Sequence, residues 1–240
     1  MIRTFLRILP ILLLPASAFA ASSPVAVTAE GGDLRAQLPD GRVLRGAELV
    51  GVVLPFQGAE LRVDAARPDD GARAGDVWLY RLSVRGTDGQ WSESCEAGAQ
   101  AMVFPGPAGA VRLTCSAGAI GTCIRLGYRP WASTAEGVAL APYHRACVNL
   151  LRSAEDKAAR IEVYDRIGIR PAPAPDAVFD AGWTVEGPVC LADPGPRAND
   201  PQAEIALAIM AMTGRTGRDG CTEDRAAALG ALVFNRIPAG

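Results

Sequence analysis

The chain has 240 residues, of which 49% are hydrophobic and 21% are charged, with 24 basic residues against 26 acidic ones. Neither sign of charge forms a long run, so nothing in the sequence favours nucleic acid or another polyanion as a partner. A chain of this length and composition can bury a hydrophobic core in one large domain or two small ones.

Residues 1–20 are predicted to be an export signal. Two arginines precede an apolar run over residues 8–14, and Ala18 and Ala20 provide the small side chains typical of a cleavage site. The apolar run is shorter than the roughly 20 residues that span a bilayer, which makes a transmembrane helix the weaker alternative. The mature chain is therefore expected to begin near Ala21, without a membrane span, in the periplasm or outside the cell.

Residues 21–114 are predicted to be a β-rich region. Short alternating runs recur there, namely LRAQL, ELVGVVL, ELRVDA, DVWLYRLSVR and AVRLT, and such runs are typical of strands. Gly41 and Gly89 each follow an aspartate, as in tight hairpin turns. One strand has apolar residues at every second position and is expected to cover a core with that face: Trp78, Tyr80, Leu82 and Val84.

An acidic loop, RPDDGARAGD, lies between two of these predicted strands. It contains Asp69, Asp70 and Asp76, and carboxylates of this kind bind calcium when they are correctly spaced. The spacing here matches no known calcium loop. We therefore interpret the loop as a solvated turn.

Residues 115–195 are expected to form a cysteine-containing core with one central amphipathic helix. Three glycines and a closing Arg-Pro-Trp predict a tightly turned, partly extended segment over residues 115–131. A helix then runs from about Pro142 to Ala158, since proline suits a first helical turn and apolar residues recur at helical spacing. Its predicted buried stripe is Tyr143, Cys147, Leu150, Leu151, Ala154 and Ala158. IEVYD follows as a strand, and RPAPAPDA as an extended connector.

Residues 196–240 are predicted to form an αα-hairpin. Pro201 suits the first turn of a helix through AEIALAIMAMT, and Thr222 can cap a second helix through AAALGALVFNRI that ends at Pro238. The sequence therefore predicts an α+β fold. Its N-terminal half is rich in antiparallel strands, and its C-terminal half combines the central helix, short strands and the helical hairpin.

Six cysteines lie beyond the predicted cleavage site: Cys95, Cys115, Cys123, Cys147, Cys190 and Cys221. An even number of cysteines in an exported chain favours disulfides. We expect Cys115 to pair with Cys123, because the glycine-containing SAGAIGT between them can fold back on itself. Cys147 is then expected to reach a more distant segment, such as the one bearing Cys95 or Cys190.

Several ordered stretches resemble the ADYC domain, a family found in exported bacterial proteins and lacking an assigned biochemical activity. They are WSESC, CSAGAIGTCIRLGYRPW, YHRACVNLLR, IEVYDRIGI and AGWTVEGPVC. The chain departs from the family at SAEDKAAR, where the resemblance leads one to expect Ala-Asp-Tyr-Cys followed by a Gly-Asp loop. The resemblance implies export and a coherent fold, and it supplies no catalytic residues.

His144 is the only histidine in the chain and the centre of two candidate chemistries. A hydrolase would use it with Cys147, but residues three apart on a helix project about 60° from each other, and a thiol that faces a core is inert. A zinc site would add Cys115 and Cys123 to these two, a ligand set that suits zinc. Cysteines in an oxidising compartment more often pair with each other.

An aromatic-lined groove is the remaining candidate site. Its residues would be Tyr128, Arg129, Trp131, Tyr143 and Trp183, and such a groove could stack a glycan or a peptide. We favour the alternative that these aromatics form a core around the disulfides. Taken together, the sequence predicts an exported, disulfide-stabilised protein with a structural or binding role, an extracytoplasmic protein or a glycan as partner, no cofactor and no clear enzyme chemistry.

Overall fold

The computed structural model of the chain describes residues 24–72, 75–153, 161–172, 177–192 and 221–238. Strands in these ranges form three antiparallel sheets, and three short α-helices accompany them. The predicted export signal and the first helix of the predicted hairpin lie outside the described residues. None of the helices in the described part of the chain is long and apolar enough to cross a membrane.

Two sheets form the N-terminal part of the fold. The first is β1 Ala26–Glu30, β2 Asp33–Gln37 and β3 Val43–Arg45, in that order. The second contains β4 Val53–Phe56, β5 Ala59–Pro68, β6 Trp78–Arg85, β7 Trp91–Glu93, β8 Ala101–Pro105 and β9 Val111–Cys115. Its order is β4-β5-β6-β8-β9, with β7 paired to β6. A 3₁₀ turn at Gly46–Leu49 connects the two sheets.

The two N-terminal sheets enclose the first hydrophobic core. Tyr80 and Leu82 are buried there, with Trp78 and Val84 packed at the edge, which confirms the predicted apolar face of β6. The Tyr80 hydroxyl donates to Asp33 at 2.8 Å and accepts from a backbone N–H of β2, so this buried hydroxyl is satisfied. This bond ties β6 of one sheet to β2 of the other.

Helix α1, Ala119–Arg125, covers part of the opposite face of the second sheet. It corrects the predicted tightly turned segment, in which Gly121 was interpreted as a turn residue. A Cβ on Gly121 would lie 2.4 Å from the carbonyl oxygen of Cys115. The glycine is therefore required for close packing of the helix against the end of β9, and Gly127, with φ +107°, follows the helix.

The third sheet lies between two helices. It consists of β10 Glu162–Asp165, β13 Val233–Pro238, β11 Ala177–Thr184 and β12 Gly187–Leu191, in that spatial order. Helix α2, Ala141–Ser153, packs on β11 and β12, and its apolar residues Leu150 and Leu151 are buried. Helix α3, Glu223–Ala228, packs on the face that carries Gly182. The predicted central helix and the IEVYD strand are thus confirmed, as far as residues are described.

The predicted α+β fold with a C-terminal αα-hairpin is wrong, because strands predominate in the described chain and its last element is β13. Helix α3 stops early since Gly230 has φ +87°. Gly230 donates to Ala227 at 2.9 Å and Ala231 donates to Ala226 at 3.0 Å, the bonding pattern of a Schellman motif. Gly230, predicted from the sequence to lie inside a helix, therefore ends helix α3. Val233 and Phe234, one β-branched and one aromatic, then enter the sheet.

Candidate functional site

The six cysteines form three bonds: Cys95–Cys115, Cys123–Cys147 and Cys190–Cys221. The predicted Cys115–Cys123 bond is wrong, and so is the predicted long reach of Cys147. The reason is the unforeseen α1, which carries Cys123 and packs against α2, so its sulfur meets that of Cys147. Cys115 ends β9 instead, beside the turn that follows β7.

His144 lies half-buried on α2, with its ring against α1. Burial lowers the pKa of the imidazole to about 4, although the Ile120 carbonyl accepts a hydrogen bond from the ring and partly opposes the shift. The buried Nε2 atom has no hydrogen-bond partner. The side chain is therefore neutral at physiological pH.

Cys147 lies one turn after His144 and is fully buried. Its sulfur is bonded to Cys123, so Cys147 has no thiolate to offer. Both a cysteine nucleophile and a cysteine ligand of zinc must be thiolates. Among the residues that the structure describes, no three His, Cys, Asp or Glu side chains are arranged to hold a metal ion.

The residues predicted to line a groove lie in two separate cores. Tyr128 and Trp183 are buried beside α2, where their polar atoms donate to Asp165 and Asn235, each at 2.8 Å. Tyr143 packs at the edge of the same core and is half-buried.

Trp131 instead joins the core under α1, where it stacks on Phe104 with ring centroids 6.4 Å apart. Its indole N–H donates to Asp76 at 3.2 Å, and Arg129 donates to the same carboxylate at 2.8 Å. The structure thus brings Arg129 and Trp131 together, but separates them from the core that holds Tyr128 and Trp183.

The acidic loop is anchored to the segment around α1. Asp69 accepts two hydrogen bonds from Arg125, the shorter at 2.6 Å, and its side chain is only 2% exposed. Asp76 is the partner of Arg129 and Trp131. The interpretation of this loop as a solvated turn holds for Asp70, which is exposed in a turn, but not for the other two carboxylates, which neutralise two arginines next to α1.

Asp165 determines the backbone conformation of the IEVYDRIGI stretch. Its buried carboxylate accepts from the backbone N–H groups of Ile167, Ile169 and Arg170, at 2.8, 3.1 and 2.7 Å, as well as from the Tyr128 hydroxyl. One side chain thus shapes the turn after β10 and fixes Tyr128 in the core. These four donors satisfy the buried carboxylate of Asp165, so its burial is explained by a structural role.

Glu223 holds α3 on the third sheet. It accepts from Tyr164 at 2.7 Å, from Arg166 at 3.1 Å and from Arg236 at 3.2 Å. Burial alone would raise the pKa of Glu223, but these three donors lower it below its usual value. Burial, together with the hydrogen bond to Glu223, raises the pKa of the Tyr164 phenol to about 12.

The outer face of β5, β6 and β7 carries polar and charged side chains around one tryptophan. In register across these strands, Arg85 lies opposite Trp91, and Ser83 lies between Arg62 and Glu93. The guanidinium carbons of Arg62 and Arg85 lie 4.7 and 5.9 Å from the centroid of the Trp91 ring. We call this surface the Trp91 face: Glu60, Arg62, Arg81, Arg85, Trp91 and Glu93. Sequence reasoning missed it, and Trp91 between a hairpin turn and Cys95 was the available signal.

The fold is that of a disulfide-stabilised, mostly β protein whose buried charges are engaged in packing its parts together. The sequence matches the family profile of the ADYC domain over residues 43–197. The chain therefore belongs to the ADYC domain family. Neither a search of curated proteins nor a search of solved structures found a match. The matched region ends before Cys221 and β13, both of which contribute to the third sheet and its packing.

Proposed function

We propose that the chain is an exported protein that binds an extracytoplasmic protein partner, with no covalent chemistry at His144. Export is supported by the predicted signal over residues 1–20 and by three disulfides, which persist in oxidising compartments. The binding role is a proposal from the surface of the second sheet.

The main observation against the hydrolase and zinc alternatives is the Cys123–Cys147 bond. It occupies two sulfurs of the proposed ligand set, and one of these is the proposed nucleophile. His144 then has no thiol to activate, and its neutral ring packs between the helices that the bond joins.

The Trp91 face carries the binding proposal. Small-molecule sites are usually concave, whereas this face is built on neighbouring strands of one sheet. Tryptophan and arginine are the residues that most often dominate protein interfaces, and here Trp91 lies beside Arg62 and Arg85. Arg85 and Glu60 are each about half exposed and paired with each other at 2.9 Å, so a partner with mixed charges would be accommodated.

Quantitative crosslinking in the exported fraction tests this proposal. Wild type, Trp91→Ala and the control Val178→Ala are compared; Val178 is 53% exposed and lies on the third sheet. The proposal expects a protein that wild type and the control crosslink alike and that Trp91→Ala loses at least tenfold. Equal crosslinking by all three proteins, or capture of polysaccharide instead of protein, would contradict it.

A further inference from the structure

We propose that Cys95–Cys115 is a thiol–disulfide exchange site, opened by an exported dithiol while the other two disulfides stay closed. This inference does not rest on the proposed binding role. It concerns how the three bonds differ in exposure and in what each one holds.

Exposure distinguishes the three bonds. Cys123, Cys147 and Cys190 are all fully buried in the core beside α2, and the partner of Cys190 is packed against the same core. Cys95 and Cys115 are both half-buried, whereas in the Cys190–Cys221 bond only Cys221 is half-buried. Cys95–Cys115 is thus the bond of the three with no fully buried cysteine. Exchange requires a thiolate to reach a sulfur, so the bond at the surface reacts first.

The chain around Cys95 is open to an approaching protein or reagent. The residues on either side of it, Ser94 and Glu96, are exposed, and so are the residues next to them. Gly98, with φ +87°, closes the turn that leads back to β8. A reductant can therefore approach without any opening of the cores.

The Cys95–Cys115 bond constrains only a short part of the chain. It joins the end of β7 to the end of β9, and β7 is a three-residue strand that pairs with β6 alone. Beyond β7, Ser94 donates one backbone hydrogen bond to Leu82 at 2.9 Å. Strand β9 is paired with β8 along its whole length, and this pairing does not depend on the disulfide. Reduction therefore frees the turn after β7, while the strand pairing and the helices stay in place.

The exchange balances with a dithiol as the reductant. One thiolate of the dithiol attacks a sulfur of the Cys95–Cys115 bond and expels the other sulfur as a thiolate, which takes up a proton. The second thiol of the dithiol, as its thiolate, then attacks the dithiol's own sulfur in the mixed disulfide and expels the remaining cysteine of this chain, which also takes up a proton. The products are two cysteine thiols on this chain and an oxidised, disulfide form of the dithiol.

Partial reduction of the native protein tests the proposal. The folded protein is incubated with dithiothreitol, samples are quenched with iodoacetamide over time, and the alkylated peptides are identified by mass spectrometry. We expect Cys95 and Cys115 to be alkylated together at least tenfold faster than the other four cysteines, with an unchanged far-UV circular dichroism spectrum, because the strands and helices stay in place. Faster labelling of Cys190 and Cys221, or simultaneous labelling of all six with loss of the spectrum, would overturn the proposal.

Two double variants provide matched controls. In Cys95→Ser/Cys115→Ser the fast phase should disappear and the remaining four cysteines should react at the wild-type slow rate. In Cys123→Ser/Cys147→Ser the fast phase should remain if the protein folds. If the first variant retained a fast phase, the exchange site would lie at another bond. Because the wild-type time course alone decides the order of reduction, a variant that fails to fold leaves the test intact.

Discussion

His144 is the residue whose ionisation should be visible in the stability of the whole protein. Its pKa is about 4 in the fold and about 6.5 in an unfolded chain. Between these values the unfolded state binds more protons, so the free energy of unfolding falls as the pH is lowered from about 6.5 to about 4. Each pKa unit corresponds to about 1.4 kcal/mol, which gives an upper limit of about 3 kcal/mol for this residue.

We therefore expect His144→Gln to have a flatter dependence of unfolding free energy on pH across this window than wild type. Urea denaturation at a series of pH values measures both curves, and subtracting them removes the contribution of the carboxylates. Parallel curves would show that the ring is not held neutral by its position between the helices.

Gly182 is the residue at which α3 comes closest to the third sheet. A Cβ there would lie 2.5 Å from the Cβ of Ala226 and 2.8 Å from that of Ala231. Overpacking of this kind typically destabilises by about 1 to 3 kcal/mol, so Gly182→Ala should lower the free energy of unfolding by that amount. Gly75→Ala is the control, because a Cβ at Gly75 meets nothing within 4 Å. A comparable loss in both variants, measured by urea denaturation, would show that α3 does not pack this closely.

At the scale of elements, α2 has a face that is buried and a face that is not. Leu150 is fully buried, whereas Arg145 is exposed on the same helix. Leu150→Ala should lower the free energy of unfolding by about 2 to 5 kcal/mol, the usual effect of a core cavity. Arg145→Ala should change it by less than about 0.5 kcal/mol. Equal shifts of the denaturation midpoint in the two variants would show that the buried face of α2 has been assigned incorrectly.

Elements with a strong periodicity were predictable from the sequence, and those set by a single glycine were not. The alternating apolar residues of β6 and the stripe of α2 follow directly from burial on one face. Helix α1 was missed because Gly121 serves a close helix contact, and the strand nature of β13 was missed because Gly230 was placed inside a helix. The role of Gly121 depends on how closely the helix approaches the backbone of Cys115, and that of Gly230 on a backbone angle.

At the scale of the whole molecule, arginine–carboxylate pairs and disulfides connect parts that are distant in sequence. The Asp69–Arg125 pair joins the N-terminal sandwich to α1, and Cys123–Cys147 joins α1 to α2. Cys190–Cys221 ties β12 to the segment that leads into α3. The pairing of cysteines could not be predicted correctly, because it depends on where whole elements pack. The favoured alternative to the groove, a core of aromatics around the disulfides, agrees with Tyr128 and Trp183, which share a core with Cys123, Cys147 and Cys190. The Trp91 face was equally invisible, since its residues come together only through strand register.

Peptide mapping of exported, non-reduced protein tests the central claim that disulfides hold this fold and leave no thiol beside His144. The three bonds described here predict linked peptides for Cys95–Cys115, Cys123–Cys147 and Cys190–Cys221, with zinc absent from the purified material. Free thiols at both Cys123 and Cys147, or zinc bound in proportion to protein, would contradict the account and favour the metal or hydrolase alternative at His144.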